Sequence, residues 1–248
     1  SRSPGLSTPE RISWRILVED LQNIYGYLAT GAVEYDGMET HSRAPLPPKT
    51  SSFQSWANRL QEYSGSPSVL SELDYWLNVE TETNANIQVD HPGGKNLVAH
   101  TQLVRRVLET DETHWLVQDI PAVFKTEIQD ILLSALVQAA VRWLPASRQL
   151  LADALGEFSL KVALEGHGRE EIFPDIDLTR TVGWFTTIYP VRLSIPLSAD
   201  RSPTQVLKLV KEQLRKVPQH GFNYGLLRYL RSDTRQVFFD QEPPQISF

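Results

Sequence analysis

Hydrophobic positions recur at two different periods along this chain, and the change between them marks out its elements. From 13 to 28 the apolar residues Trp14, Leu17, Leu21, Ile24 and Leu28 fall three and four apart and predict an amphipathic helix. A Pro-rich connector, APLPPKTSS at 44–52, separates it from a second helical stretch carrying Phe53, Trp56, Leu60 and Tyr63. Thr50, Ser51 and Ser52 are its candidate N-caps. Val69, Leu73, Trp76 and Leu77 predict a third, short helix. The polar run 79–96, ending in His91-Pro92-Gly93-Gly94, reads as turn. Between Asn96 and Leu116 the pattern is mixed and predicts at least one strand. A clearer helix is predicted over 126–143, with Ile128, Ile131, Leu132, Ala135, Leu136 and Ala139 as its apolar stripe, ending before Pro145.

The period then drops to two. In FSLKVALEG (158–166), Phe158, Leu160, Val162 and Leu164 share one face of a strand, and Ser159, Lys161, Ala163 and Glu165 the other. Glu165 therefore projects from the polar face at the strand's end, a place that suits a site residue or a solvated carboxylate equally. TVGWFTTIY (181–189) predicts a second strand, closed by Pro190, that sets Trp184 and Phe185 on opposite faces with one of them in the core. Val191, Leu193, Ile195 and Leu197 make a third alternation. Ser202-Pro203-Thr204-Gln205 supplies an N-cap, a first-turn proline and a capping-box glutamine. The helix it opens carries Val206, Val210, Leu214 and Val217 and stops at Pro218, and Gly221–Gly225 reads as a loop. There is no internal repeat, and the mixture predicts an α/β fold.

Composition narrows the function more than the fold. With 248 residues the chain is long enough for one large domain or two small ones. Lys plus Arg number 24 against 30 Asp plus Glu, a net charge of −6 that argues against nucleic acid or an anionic membrane as the main partner. The absence of cysteine excludes disulfides, thiolate nucleophiles and Cys-ligated metals, and suits a reducing, cytoplasmic setting. No apolar run reaches the roughly 18 residues of a membrane span, and no secretory signal opens the chain. The chain begins at Ser1 and its one methionine is Met38, as expected if an initiator was removed or if this is a piece of something longer.

The most chemically loaded segment is ALEGHGRE (163–170), which sets Glu165, His167 and Arg169 in alternation with two glycines. On a continued strand the three would share a face, and as a turn they would form a solvated charged cluster. One histidine and nearby carboxylates make no recognisable metal-ligand set, so no metal is expected. There is neither a nucleophile elbow nor a Gly-rich phosphate loop.

Taken in order, DILLSAL (130–136), EGHGRE (165–170), RTVGWFTTIYPV (180–191) and VPQHGFNYG (217–225) resemble the successive motifs of the epimerization domains of nonribosomal peptide synthetases, a branch of the condensation-domain superfamily. The tail PQISF (244–248) resembles the start of a further motif, and ISWRILVEDLQ (12–22) the helix after that family's His-His-x-x-x-Asp-Gly signature. EGHGRE and TVGWFTT favour epimerization over condensation proper. The resemblance implies a chloramphenicol-acetyltransferase-like α/β fold of two lobes around a tunnel. Residues 1–123 would end the N-terminal lobe and hold the crossover, and 124–248 would form most of the C-terminal lobe. It further implies that a peptidyl carrier protein, working among other synthetase domains, presents an aminoacyl or peptidyl thioester on its phosphopantetheine, with no cofactor bound directly. The reaction implied is conversion of an L residue to D at Cα, which needs acid–base groups on both faces of that carbon and donors at the thioester oxygen. Residue by residue, the family's catalytic glutamate corresponds to Glu165. His167, Arg169, Thr181, Trp184, Asn223 and Tyr224 fall on motif or tunnel positions.

The front departs from the family. The His-His-x-x-x-Asp-Gly signature should fall on GLSTPER, residues 5–11, where Leu6 stands for the catalytic histidine and Glu10 for the aspartate, and no histidine occurs before His41. The match covers roughly the second half of a full domain, so little or no epimerase activity is expected of the chain as it stands. The alternative is a noncatalytic condensation-fold module that docks a carrier or tailoring protein.

Overall fold

A computed structural model describes residues 11–29, 46–81, 87, 89–91, 93–95, 97–143, 156–197 and 202–248. Leu6, Glu10, Met38, His41 and Pro145 lie outside the described residues. The chain divides into two compact units, one of residues 1–73, 165–189 and 221–239, the other of 74–164, 190–220 and 240–248.

The first unit opens with α1 (Arg11–Ala29), α2 (Phe53–Tyr63) and α3 (Pro67–Leu70). Ser52 caps α2, its side chain accepting the Ser55 amide at 3.0 Å, so one of the three candidate caps does the work. Trp56 of α2 is the centre of an aromatic core, with ring centroids 5.5 Å from Phe173, 6.4 Å from Phe185 and 6.0 Å from Phe222. The α1 helix forms as its spacing predicts, but it buries Ser13 and Ile16, and Trp14, Leu17, Leu21 and Leu28 face outward. The third predicted helix is two, α3 with Val69 fully buried and α4 (Leu73–Thr81) with Trp76 fully buried, and all of α4 but Leu73 is counted in the second unit.

In the second unit, α7 (Ile128–Trp143) packs against α8 (Pro203–Arg215). Leu133, Val137 and Val141 carry the buried face of α7, not the stripe through Ile128, Leu132 and Ala135. Spacing sets the polar row Asp130, Ser134, Gln138 and Arg142 outward, yet Ser134 is buried with its hydroxyl donating to the Asp130 carbonyl at 2.6 Å, so packing and not the polar row chooses the inward side. Ser202 caps α8 and accepts the Gln205 amide as the capping pattern predicts. The region 97–116 holds no strand: a short 3₁₀ turn at Val98–His100 and the helical turn α5 (Thr110–His114) flank an extended stretch. Leu103 there is 89% exposed. A strand needs a neighbour for its backbone groups, and this stretch has none among the described residues. The helix continues from α5 through a π turn to α6 (Ile120–Phe124).

Among the described residues the sheet has three strands in the order β2-β1-β3, with β1 at Glu157–Gly166, β2 at Thr187–Pro196 and β3 at Ile246–Ser247. The first strand alternates as its sequence predicts, Phe158, Leu160, Val162 and Leu164 being buried. It pairs with β3 in parallel, Val162 opposite Ile246. The second predicted strand is a correction. Residues 181–186 are irregular, and β2 begins at Thr187 and runs through Pro190, merging with what reads as a third alternation. Proline has no amide to give a ladder, and it is tolerated because β2 is an edge strand. Gln213 then covers part of that edge, accepting the Ser194 amide at 2.8 Å and donating to its carbonyl at 2.7 Å. Facing polar positions join Ser159 to Ser194 at 2.6 Å and Lys161 to the buried Glu80 at 2.9 Å. No helix among the described residues is long and apolar enough to cross a membrane.

Candidate functional site

The seven residues singled out by sequence all fall in the first unit. Glu165 is exposed at the end of β1, where the inward–outward alternation of the strand puts it on the solvent side. Among the described residues its carboxylate makes no hydrogen bond or ion pair. Gly166 ends the strand, and the chain turns away at Gly168. Gly168 has φ +66°, and a Cβ added there would sit 1.6 Å from the Phe185 carbonyl oxygen. Only glycine lets the backbone turn this tightly against residue 185.

Arg169 holds the turn from the other side. Its guanidinium donates to the carbonyls of Leu178 at 2.6 Å and Thr181 at 2.9 Å and to Ser13 Oγ at 3.3 Å. It lies 4.0 Å above the Phe185 ring, a cation–π contact. Ser13, fully buried on α1, also donates to the Gly183 carbonyl at 2.9 Å and accepts the Gly183 amide at 3.1 Å. The loop 178–185 is thus stitched to α1 and to the EGHGRE turn through one hydroxyl and one guanidinium. Thr181 completes the stitching: its buried hydroxyl donates to the Ser51 carbonyl at 2.6 Å. Arg180 pairs with Glu19 at 3.2 Å and with Asp20.

His167 is exposed, and its Nδ1 accepts the Arg169 amide at 3.0 Å while Nε2 lies 3.4 Å from Glu170 Oε1. Burial pushes the Tyr189 hydroxyl above its ordinary pKa, and the Glu170 carboxylate adds to the shift. Asp177, beside the same loop, is held below the usual carboxylate range by hydrogen bonds from the Thr179 hydroxyl and amide. A depression of about 690 Å³ opens next to this cluster, lined by Arg15, Arg169, Glu170, Phe173 and Asp177 among others.

Trp184 and Phe185 separate as expected, Trp184 being 45% exposed and Phe185 buried, but from an irregular segment and not a strand. Asn223 and Tyr224 form a second, buried group. The stretch Gly221–Gly225 is not a loop, since α9 (Phe222–Gly225) passes directly into a π turn through Leu230. Gly221 makes the entry at φ +82°, where a Cβ would strike the Tyr189 ring at 2.1 Å. Asn223 Nδ2 donates to Glu72 Oε1 at 2.6 Å, and Tyr224 accepts from Arg228 at 2.8 Å. Glu165, His167, Arg169 and Thr181 are therefore gathered on one turn and its supporting loop. Asn223 and Tyr224 are not part of that cluster and contact Glu72, Arg228 and Phe238 instead. Ser13, Glu72 and Tyr189 were not legible as partners, because each acts through a contact far away in sequence.

The family model for the condensation domain matches residues 11–242. One of the linear gramicidin synthase proteins of Brevibacillus parabrevis is 41% identical over 238 residues, 96% of this chain and 3% of that protein. A crystal structure of the epimerization domain from the third module of tyrocidine synthetase B superposes with TM-score 0.75 at 33% identity, covering 97% of this chain and 49% of that one. The first condensation domain of the calcium-dependent antibiotic synthetase, at 15% identity and TM-score 0.61 over 96% of this chain and 47% of that one, shares the fold. The chain spans about half the length of these solved domains and a small fraction of the synthase.

Proposed function

Because this chain belongs to the condensation-domain family, we propose that it is an epimerization-type member in which Glu165 moves the Cα proton of a carrier-bound aminoacyl or peptidyl thioester. The observation that carries the reading is the exposed Glu165 carboxylate at the end of β1, unpaired among the described residues and set immediately before the glycine-dependent turn of EGHGRE. A general base must have an oxygen free to take a proton, and this one is not committed to a structural bond. The likeness to a solved epimerization domain supports the same branch of the family.

In this reading a peptidyl carrier protein brings the thioester on its phosphopantetheine arm. Glu165 removes or returns the proton on one face of Cα, and inversion from L to D needs a second group on the other face. Residues 1–123 belong to the end of the N-terminal lobe and the crossover, and 124–248 to the C-terminal lobe. Leu6 stands where the family places the second base, and loss of one general base costs about 10²–10⁴ in rate. Inversion by this chain is accordingly slow. Leu6 also favours a second reading, a noncatalytic module that docks the carrier.

The test is chiral analysis of the amino acid hydrolysed from an L-aminoacyl carrier after incubation with the chain. A small D fraction above the protein-free control, absent with Glu165→Gln, supports epimerization. Carrier binding with no D product at all supports the docking module instead.

A further inference from the structure

His167 looks like a spare acid–base group beside Glu165, but its hydrogen bonds assign it another task. Nδ1 accepts the Arg169 backbone N–H at 3.0 Å, so the neutral ring must carry its proton on Nε2. That Nε2 lies 3.4 Å from Glu170 Oε1, the side an N–H favours. Both ring nitrogens are thus engaged within the segment 167–170. The turn they span is the one that Gly168 makes at φ +66° against the Phe185 carbonyl. The side chain of Arg169, whose amide His167 accepts, is itself fixed on Leu178, Thr181 and Ser13. The ring therefore ties the free end of β1 to a part of the unit that is already anchored.

We propose that His167 is a positioning residue: held as the Nε2–H tautomer between the Arg169 amide and the Glu170 carboxylate, it pins the turn after Gly166 and so fixes where the Glu165 carboxylate points. This rests on the reading of Glu165 as the acid–base group and gives the motif's histidine a role distinct from proton transfer.

Two readouts test the proposal separately. In the intact chain, the imidazole nitrogens of His167 are read by ¹⁵N-resolved NMR of the neutral ring. An unprotonated, hydrogen-bonded Nδ1 with Nε2–H is expected, and an Nδ1–H ring would overturn the latch without reference to any activity. The second readout is Cα hydrogen–deuterium exchange on an aminoacyl carrier. His167→Gln keeps an oxygen for the Arg169 amide and an NH₂ for Glu170, so it should stay close to the unaltered chain. His167→Ala should slow exchange on the order of 10–100-fold, the scale of a misplaced reacting group. Equal losses for both substitutions would make His167 a proton-transfer group and overturn the positioning role. Exchange indifferent to Glu165→Gln would remove the reading of Glu165 and the positioning role with it, while the tautomer would still report on the latch.

Discussion

Gly168 bears a heavier constraint than any charged residue of its motif. A Cβ there would meet the Phe185 carbonyl oxygen at 1.6 Å from a left-handed backbone, and neither the strand end nor the anchored loop can yield far. Gly168→Ala should lower stability by about 2–4 kcal/mol, the backbone term being roughly 1–2 kcal/mol and the clash the rest. A thermal or urea melt of the variant checks this, and unchanged stability would mean that the turn is not built as described. Tyr189 gives a pH signature of its own. Its folded pKa lies above the unfolded value because burial and Glu170 both disfavour the phenolate. The stability this contributes is complete below the unfolded pKa of about 10. It is lost as pH rises from there through the folded value. Alkaline melts should therefore show Tyr189→Phe losing less stability with rising pH than the unaltered chain. Asp177 and Asp233 work in the opposite sense: hydrogen bonds lower both in the fold, so their contribution fades as pH falls below the ordinary carboxylate range.

Elements were legible where the apolar residues lie on one face, and less so where they lie on several sides of a helix or a stretch lacks a neighbour. The strand Glu157–Gly166 has strict alternation, and its inward set is the one the sequence predicts. The helix Ile128–Trp143 was found in place but turned, because Leu132 and Leu133 are equally apolar and only the position of α8 decides between them. Leu133→Ala should cost about 2–5 kcal/mol, and Leu132→Ala, at an exposed position, well under that. Equal costs in denaturant melts would refute the assigned face. The stretch 181–186 has strand composition and forms no strand: the Gly183 amide and carbonyl are taken by Ser13, and the Thr181 hydroxyl by Thr50 and Ser51. Such cross-chain partners leave no local signal. The same reason hid the helix at Phe222–Gly225, whose entry glycine is set by the Tyr189 ring more than thirty residues earlier in sequence.

At the scale of the whole chain, the order of short motifs carried more than any single residue. No one of DILLSAL, EGHGRE, TVGWFTT or VPQHGFNYG names a family, yet their succession pointed to the condensation-domain fold that the family match and the solved domains bear out. What motif order does not convey is whether chemistry survives. Glu165 offers one carboxylate unpaired among the described residues, and the position that would supply its counterpart is Leu6. Deuterium uptake at Cα of an L-aminoacyl-phosphopantetheine carrier in heavy water, followed over long incubation with the chain and with Glu165→Gln, puts this to the proof. Slow uptake above the protein-free background, falling to background in the variant, is the expected outcome. Uptake equal in the two proteins, or none with either while the carrier still binds, would rule out Glu165 as the acid–base group and leave a docking module.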